Sequence, residues 1–217
     1  MLTDPEATAE LATREVRSGT RDGAATKIAV VRRSYPVAQE ELWQALTDPE
    51  RIPRWFLPIS GELRPGGRYQ FQGNAGGVIE RCDAPSSLAA TWEYGPGVSW
   101  IELRLIPESG GTTLELVHEA HVPEEMWPVY GPGAVGIGWD LALAVGLGLH
   151  LESGEAVDPE LGASFPLTPE GLAFVRRAAA GWAEAAVADG DEPGAAHEAA
   201  ERTVAFYTTL PEGASEG

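Results

Sequence analysis

"AVGIGWDLALAVGLGLHL", residues 134–151, is a nearly continuous apolar run, about as long as a bilayer-spanning helix. Three features argue against insertion. Asp140 lies inside the run, no Lys or Arg flanks it closely, and it is rich in Gly rather than Leu, which together make a poor membrane segment. The better reading is a helix from about Gly138 to Glu152, buried in a globular domain. Such a helix, apolar on most sides, needs an apolar surface around it. The residues before it must supply that surface.

They do so as strands. Between residues 61 and 122, "GRYQFQG", "GGVIERCD", "SLAATWEY", "SWIELRLIP" and "TTLELVHEAHV" are separated by turn sequences such as Gly95-Pro96-Gly97 and Ser109-Gly110-Gly111. Ile101, Leu103 and Leu105 alternate with Glu102 and Arg104, the period of a half-buried strand. This is the pattern of an antiparallel meander with one apolar face. Upstream, "REVRSGTRDGAATKIAVVRRSY" breaks at Asp22-Gly23 into two extended runs, a hairpin signal. Residues 1 to about 13 are polar and expected to be loosely ordered. "VAQEELWQALTDP" spaces Val37, Leu42, Ala45 and Leu46 for a short helix, with Glu40 and Glu41 in its first turn. Pro49 and Pro53 then stop the chain and deliver Trp55 and Phe56.

After a Pro/Gly-rich crossover, "PEEMWPVYGPGAVG", comes the apolar helix, and beyond residue 152 a linker and two amphipathic helices. One carries Leu172, Val175, Ala179 and Trp182 on a face, with Thr168 as N-cap before Pro169; the other carries Ala200, Val204 and Tyr207. The tail from residue 152 onward holds 13 acidic and 3 basic residues. Over the whole chain of 217 residues, 33 acidic against 15 basic side chains give a formal charge of -18. That field repels phosphate backbones and anionic lipid heads, so neither nucleic acid nor membrane is expected as a partner. The single cysteine, Cys82, excludes an internal disulfide. The N-terminus "MLTDPEATAE" lacks the basic and apolar regions of a signal peptide, so a cytoplasmic location is expected.

The segments "VAQEELWQALTDPERIPRWF", "LRPGGRYQF", "LAATWEY", "GGTTLELVHEA" and "GWDLALAVGLGLHL", in this order and spacing, resemble the SRPBCC, or START-like helix-grip, superfamily, and specifically its AHSA-like branch, named for the activator of heat-shock protein 90 ATPase. The resemblance implies an α+β helix-grip fold: a curved antiparallel sheet wrapped around a long C-terminal helix, with a cavity between them. Three ranges are expected: an N-terminal segment with the first hairpin arm (1–23), the helix-grip domain (24–152), and an acidic helical extension (153–217). The extension could cap the cavity mouth, pack on the back of the sheet, or form a homodimer contact.

Within this frame the aromatic residues are candidate walls for a bound apolar molecule: Trp55, Phe56, Tyr69, Phe71, Trp92, Tyr94 and Trp139, with Leu143 one turn beyond Trp139. Trp43 is expected in the core with Leu46, and Trp55 and Phe56 at the rim. Gly146 and Gly148 weaken the helix by about 1 kcal/mol each relative to Ala, which points to a close backbone approach or open volume beside them. His118 shares strand parity with Leu114 and Leu116 and is the candidate polar contact. It is also the one weak candidate for catalysis, with Asp140 or Glu93 as conceivable partners. Gly131, Gly133 and Gly136 spell a G-x-G-x-x-G, but antiparallel strands precede it and Pro132 interrupts it, so no nucleotide is expected. Cys82 has Arg81 beside it and no paired His. His118 and His121 lie three apart in a strand run and cannot complete a zinc set; no metal or cofactor is expected.

Three functions remain open. Binding of a small hydrophobic ligand between sheet and helix stands first. A protein-interaction module of the heat-shock protein 90 activator type, implied by the resemblance alone, stands second. A polyketide cyclase-like or hydrolase-like enzyme using His118 stands third.

Overall fold

The computed structural model describes residues 2–122 and 126–209. Strands β1 (Ala12–Arg21) and β2 (Ala24–Tyr35) form the expected hairpin. Asp22 and Gly23 turn it with φ of 52° and 80°, the left-handed pair that matches the twist of two-residue hairpin loops. The chain leaves β2 through helix α2 (Gln39–Thr47) and a 3-10 turn (Ile52–Arg54). It then lays down β3 (Ile59–Gly61), β4 (Arg68–Phe71), β5 (Gly76–Asp83), β6 (Ser87–Tyr94), β7 (Gly97–Glu108) and β8 (Gly111–Ala120). Each strand pairs antiparallel with the next, and β8 returns beside β2, giving the order β1-β2-β8-β7-β6-β5-β4-β3. A register shift between Ile79 and Arg81 marks a bulge, a device that bends a sheet.

The two faces differ by parity. Val31, Leu114, Leu116, Leu103 and Leu105 are buried on the concave side. On the convex side Arg17, Glu15, Arg32, Glu115, Arg104, Glu102, Arg81 and Asp83 form an unbroken row of alternating charge, each neighbouring pair 2.6–3.0 Å apart. Arg17, helped by Arg32, holds the Glu15 carboxyl down at about 2. Single exposed pairs contribute little, but the row pairs these eight charges across the sheet's polar face.

The concave face grips a continuous helix, Gly133–Ser153, composed of α4 (Gly133–Leu141), a π-helical stretch (Ala142–Leu147) and α5 (Gly148–Ser153). Although long and apolar enough to cross a membrane, it is held by the sheet. Within the π stretch the Leu143 carbonyl takes the Gly148 amide and also the buried Tyr35 hydroxyl, at 2.9 Å. Gly146 lies against the chain that follows α2: a Cβ there would sit 2.4 Å from the Trp55 carbonyl oxygen. Left-handed Gly154 ends the helix.

Three expectations need correction. Residues 5–10 are ordered as helix α1 (Pro5–Glu10), capped by Asp4. Small Ala9 packs into the main core, and Arg14 and Arg33 donate to the Ala9 and Thr8 carbonyls at α1's end. The crossover is partly helical: α3 (Trp127–Tyr130) precedes α4, and α4 starts before Gly138. Tertiary contact explains the second point, because a Cβ on Gly136 would meet the Trp182 ring at 2.2 Å. Finally, the linker after residue 152 contains α6 (Pro159–Ser164) and a 3-10 turn, Phe165–Leu167. Pro123, a crossover residue, lies outside the described residues with Glu124 and Glu125.

The tail helices α7 (Pro169–Ala188) and α8 (Pro193–Thr208) pack beside the grip helix on the concave side. Thr168 caps α7 as expected, accepting from the Gly171 amide. Trp182 of α7 donates to Asp140 at 2.7 Å, and Arg14 of β1 clasps the same carboxylate with Nε and Nη2 at 3.0 and 2.9 Å. One hydrophobic core therefore runs from Ala9 through the sheet to Val204.

Candidate functional site

Between sheet and grip helix lies an apolar cavity of about 260 Å³. Strands β4, β6 and β7 direct Tyr69, Phe71, Ala90, Trp92, Ile101 and Leu103 into it. The helix contributes Trp139 and Leu143, and the α2 region closes one end with Trp43, Leu46, Trp55 and Phe56. Among the described residues no charged side chain lines it. The aromatics touch in a chain: Phe56 to Phe71 at 5.0 Å edge-on, Phe71 to Trp92 at 5.7 Å, and Trp92 to Trp139 at 5.0 Å between ring centroids. Polar handles are turned outward or satisfied. The Tyr69 hydroxyl donates to the Thr91 carbonyl at 2.6 Å, and the Trp55 indole to the Ala45 carbonyl at 2.8 Å. Cys82 also reaches the cavity; burial pushes its thiol pKa up, which keeps it protonated and poorly nucleophilic.

The Trp92–Trp139 pair separates this cavity from an open groove of about 680 Å³, which shares Phe56, Trp92 and Trp139 with it. His118 lines this groove and lies beside the cavity wall. Its Nδ1 is 3.0 Å from the Trp139 indole nitrogen and its Nε2 is 2.8 Å from the Ser99 hydroxyl. An indole only donates, so Nδ1 is the acceptor and the proton sits on Nε2. Ser99 in turn donates to the Trp92 carbonyl at 3.0 Å. The chain joins both tryptophans of the partition through one neutral imidazole, and burial pushes the His118 pKa down to about 4.

Of the sequence-predicted wall residues, Trp55, Phe56, Tyr69, Phe71, Trp92, Trp139 and Leu143 meet at the cavity. Tyr94 does not. It shares parity with Trp92 but ends β6, where it is 66% exposed and faces the groove. Neither conceivable partner of His118 reaches it: Asp140 is bound to Arg14 and Trp182, and Glu93 to Arg68 and Thr91. The residues not anticipated at the cavity include Trp43, Leu46, Ile52 and Ile79. Parity could have added Ile101, Leu103 and Leu116, which alternate with charged residues in their strands. Among the described residues no group of three His, Cys, Asp or Glu could hold a metal ion.

The sequence profile of the Activator of Hsp90 ATPase homolog 1-like protein family matches residues 36–145, about half of the chain. No curated protein matches it. Among solved structures, the crystal structure of CalU16 from Micromonospora echinospora is 34% identical, with 80% of this chain and 97% of that one covered, at a TM-score of 0.63. Its solution NMR structure gives 32% identity, 82% and 97% coverage, and a TM-score of 0.67. DynU16, a protein in the dynemicin biosynthetic locus, is 23% identical over 59% of this chain and 48% of its own, at 0.52, a likeness of fold alone. The matched range takes in the cavity-closing α2 region, the whole meander and most of the grip helix, and so the chain belongs to the activator of Hsp90 ATPase homolog 1-like family, within the SRPBCC helix-grip superfamily.

Proposed function

We propose that the protein binds a small apolar molecule in the cavity between sheet and grip helix. The observation that carries this reading is a cavity of about 260 Å³ walled by aromatic and aliphatic side chains with no charge among them. Filled cores leave few voids larger than a water molecule, so space of this size kept open by large rings calls for an occupant. It is near the lower end of the usual range for small-molecule sites, which suits a compact ring system. A longer ligand would extend past Trp92 and Trp139 into the open groove. Burial of the apolar body then supplies the affinity.

Titration with N-phenyl-1-naphthylamine, a neutral fluorophore, tests the reading. Saturable enhancement is expected, with energy transfer from the cavity tryptophans. Ala90→Phe, which fills the cavity from β6, is expected to weaken binding at least tenfold while the protein stays folded by circular dichroism. Equal binding to wild type and variant, or none to either, would overturn it. Catalysis is less well supported, because both nitrogens of His118 are engaged and no carboxylate among the described residues bonds to it. Family membership supports a chaperone as a protein partner; failure of the purified chain to stimulate that chaperone's ATPase would remove this second reading.

A further inference from the structure

A third depression lies on the opposite side of the grip helix from the aromatic cavity. It measures about 700 Å³ and runs between α1, the end of β2, the β2–α2 connection and the helix residues Ala144, Gly148 and Leu151. These recur at helical spacing on one face, whereas Leu143 lines the aromatic cavity. The walls mix apolar side chains, Leu11, Val37 and Leu149 among them, with polar ones such as Thr8 and Ser34.

Among the described residues, one cationic side chain lines this groove. Arg33 is only 8% exposed, and its Nη1 donates to the Thr8 carbonyl at 2.9 Å. Its Nε is buried and has no hydrogen-bond partner among the described residues. Its Nη2 lies beside the helix backbone, 3.8 Å from where a Cβ on Gly148 would stand. Arg14 provides the comparison within the same protein, since it uses its Nε–Nη2 edge to clasp Asp140. The corresponding edge of Arg33 meets no carboxylate among the described residues. Asp140 acts on both guanidiniums through the field, but its oxygens are committed to Arg14 and Trp182. A guanidinium stays charged even when buried, and Arg33 has the Thr8 carbonyl and the Tyr35 ring, 5.7 Å from its Cζ, to offset that burial, but no bonded carboxylate among the described residues. Burial accordingly pulls the Arg33 pKa down.

We propose that this groove binds a monocarboxylate with an apolar tail, its carboxylate on the Nη2 donor of Arg33 and its tail along Leu149, Leu151 and Leu11. A guanidinium N–H on a carboxylate is a charge-assisted hydrogen bond, about twice as strong as a neutral one. Asp4 and Glu152 at the groove, together with the net charge of -18, oppose any anion and a dianion such as a phosphate ester more strongly, which favours a single charge. Leu11, Leu149 and Leu151 give the groove an apolar side that a bare hydrophilic anion would leave unused. This site is independent of the aromatic cavity, from which the grip helix separates it.

Calorimetric titration with decanoate, with decanol as the uncharged control, tests the proposal, and amide NMR shifts locate the binding. Decanoate is expected to bind the wild type and to shift the Thr8, Ala144 and Gly148 amides. Arg33→Met should weaken decanoate at least tenfold and leave decanol unchanged. Gly148→Leu covers Nη2 while retaining Arg33 and should weaken it similarly, so the test survives if Arg33→Met fails to fold. Absence of binding to the wild type, undiminished binding to both variants, or shifts confined to residues of the aromatic cavity would overturn it.

Discussion

At the scale of single residues, His118 shows how burial rather than residue type sets chemistry. Strand parity with Leu114 and Leu116 places it on the concave face, and that much is legible from alternation. Its partners are not, since Ser99 and Trp139 are distant in sequence and approach only through β7–β8 pairing and helix docking. Burial lowers its pKa from 6.5 to about 4, so between these values the unfolded chain takes up a proton that the folded one refuses. The stability tied to this group is complete above pH 6.5, falls as the pH drops through that window, and levels off below 4. The full difference is on the order of 3 kcal/mol. His118→Phe should remove this contribution: urea midpoints measured from pH 7.5 to 4 should fall less steeply for the variant than for the wild type. Parallel profiles would refute the assignment.

At the scale of elements, the glycines of the grip helix invert the usual propensity rule. Gly to Ala within a helix ordinarily stabilises by up to about 1 kcal/mol. At Gly146 the added methyl would lie 2.4 Å from the Trp55 carbonyl, and at Gly136 it would enter the Trp182 ring. Gly146→Ala and Gly136→Ala are therefore expected to destabilise by about 1–3 kcal/mol, the range for overpacking. Gly148→Ala meets only ordinary contact at 3.4 Å and should stabilise slightly. Thermal melts of the three variants would settle the signs. The sequence suggested close approach or open volume at Gly146 and Gly148; which neighbour came close depended on how the segment after α2 crosses the helix. Other elements were legible for local reasons: Asp22-Gly23 favours left-handed backbone, Pro49 stops the chain after α2 while Pro53 sits in the 3-10 turn that follows, and Thr168 supplies a cap. Helix α1 was not, because six residues hardly sustain a helix alone, and its stability comes from docking Ala9 into the core.

For the whole molecule, the acidic tail is part of the core. Trp182 is 1% exposed, fills the notch at Gly136 and completes the bonding of Asp140. Trp182→Ala should cost about 3–5 kcal/mol, the usual range for a large buried aromatic, and full-length protein should unfold in one urea transition seen alike by fluorescence and circular dichroism. Two separated transitions would mean that α7 and α8 fold as a unit of their own. Local pattern alone gives the strands other than the short edge strand β3, the central helix and the aromatic supply of the cavity, because alternation, turn chemistry and apolar run length act between near neighbours. Tertiary structure decides the rest. Which tryptophans form the partition, why His118 is neutral, where the tail packs and which arginine remains without a carboxylate all depend on groups far apart in the chain. Their distances are set by the curvature of the sheet and the register of the helix within it, and no periodicity in the sequence encodes either.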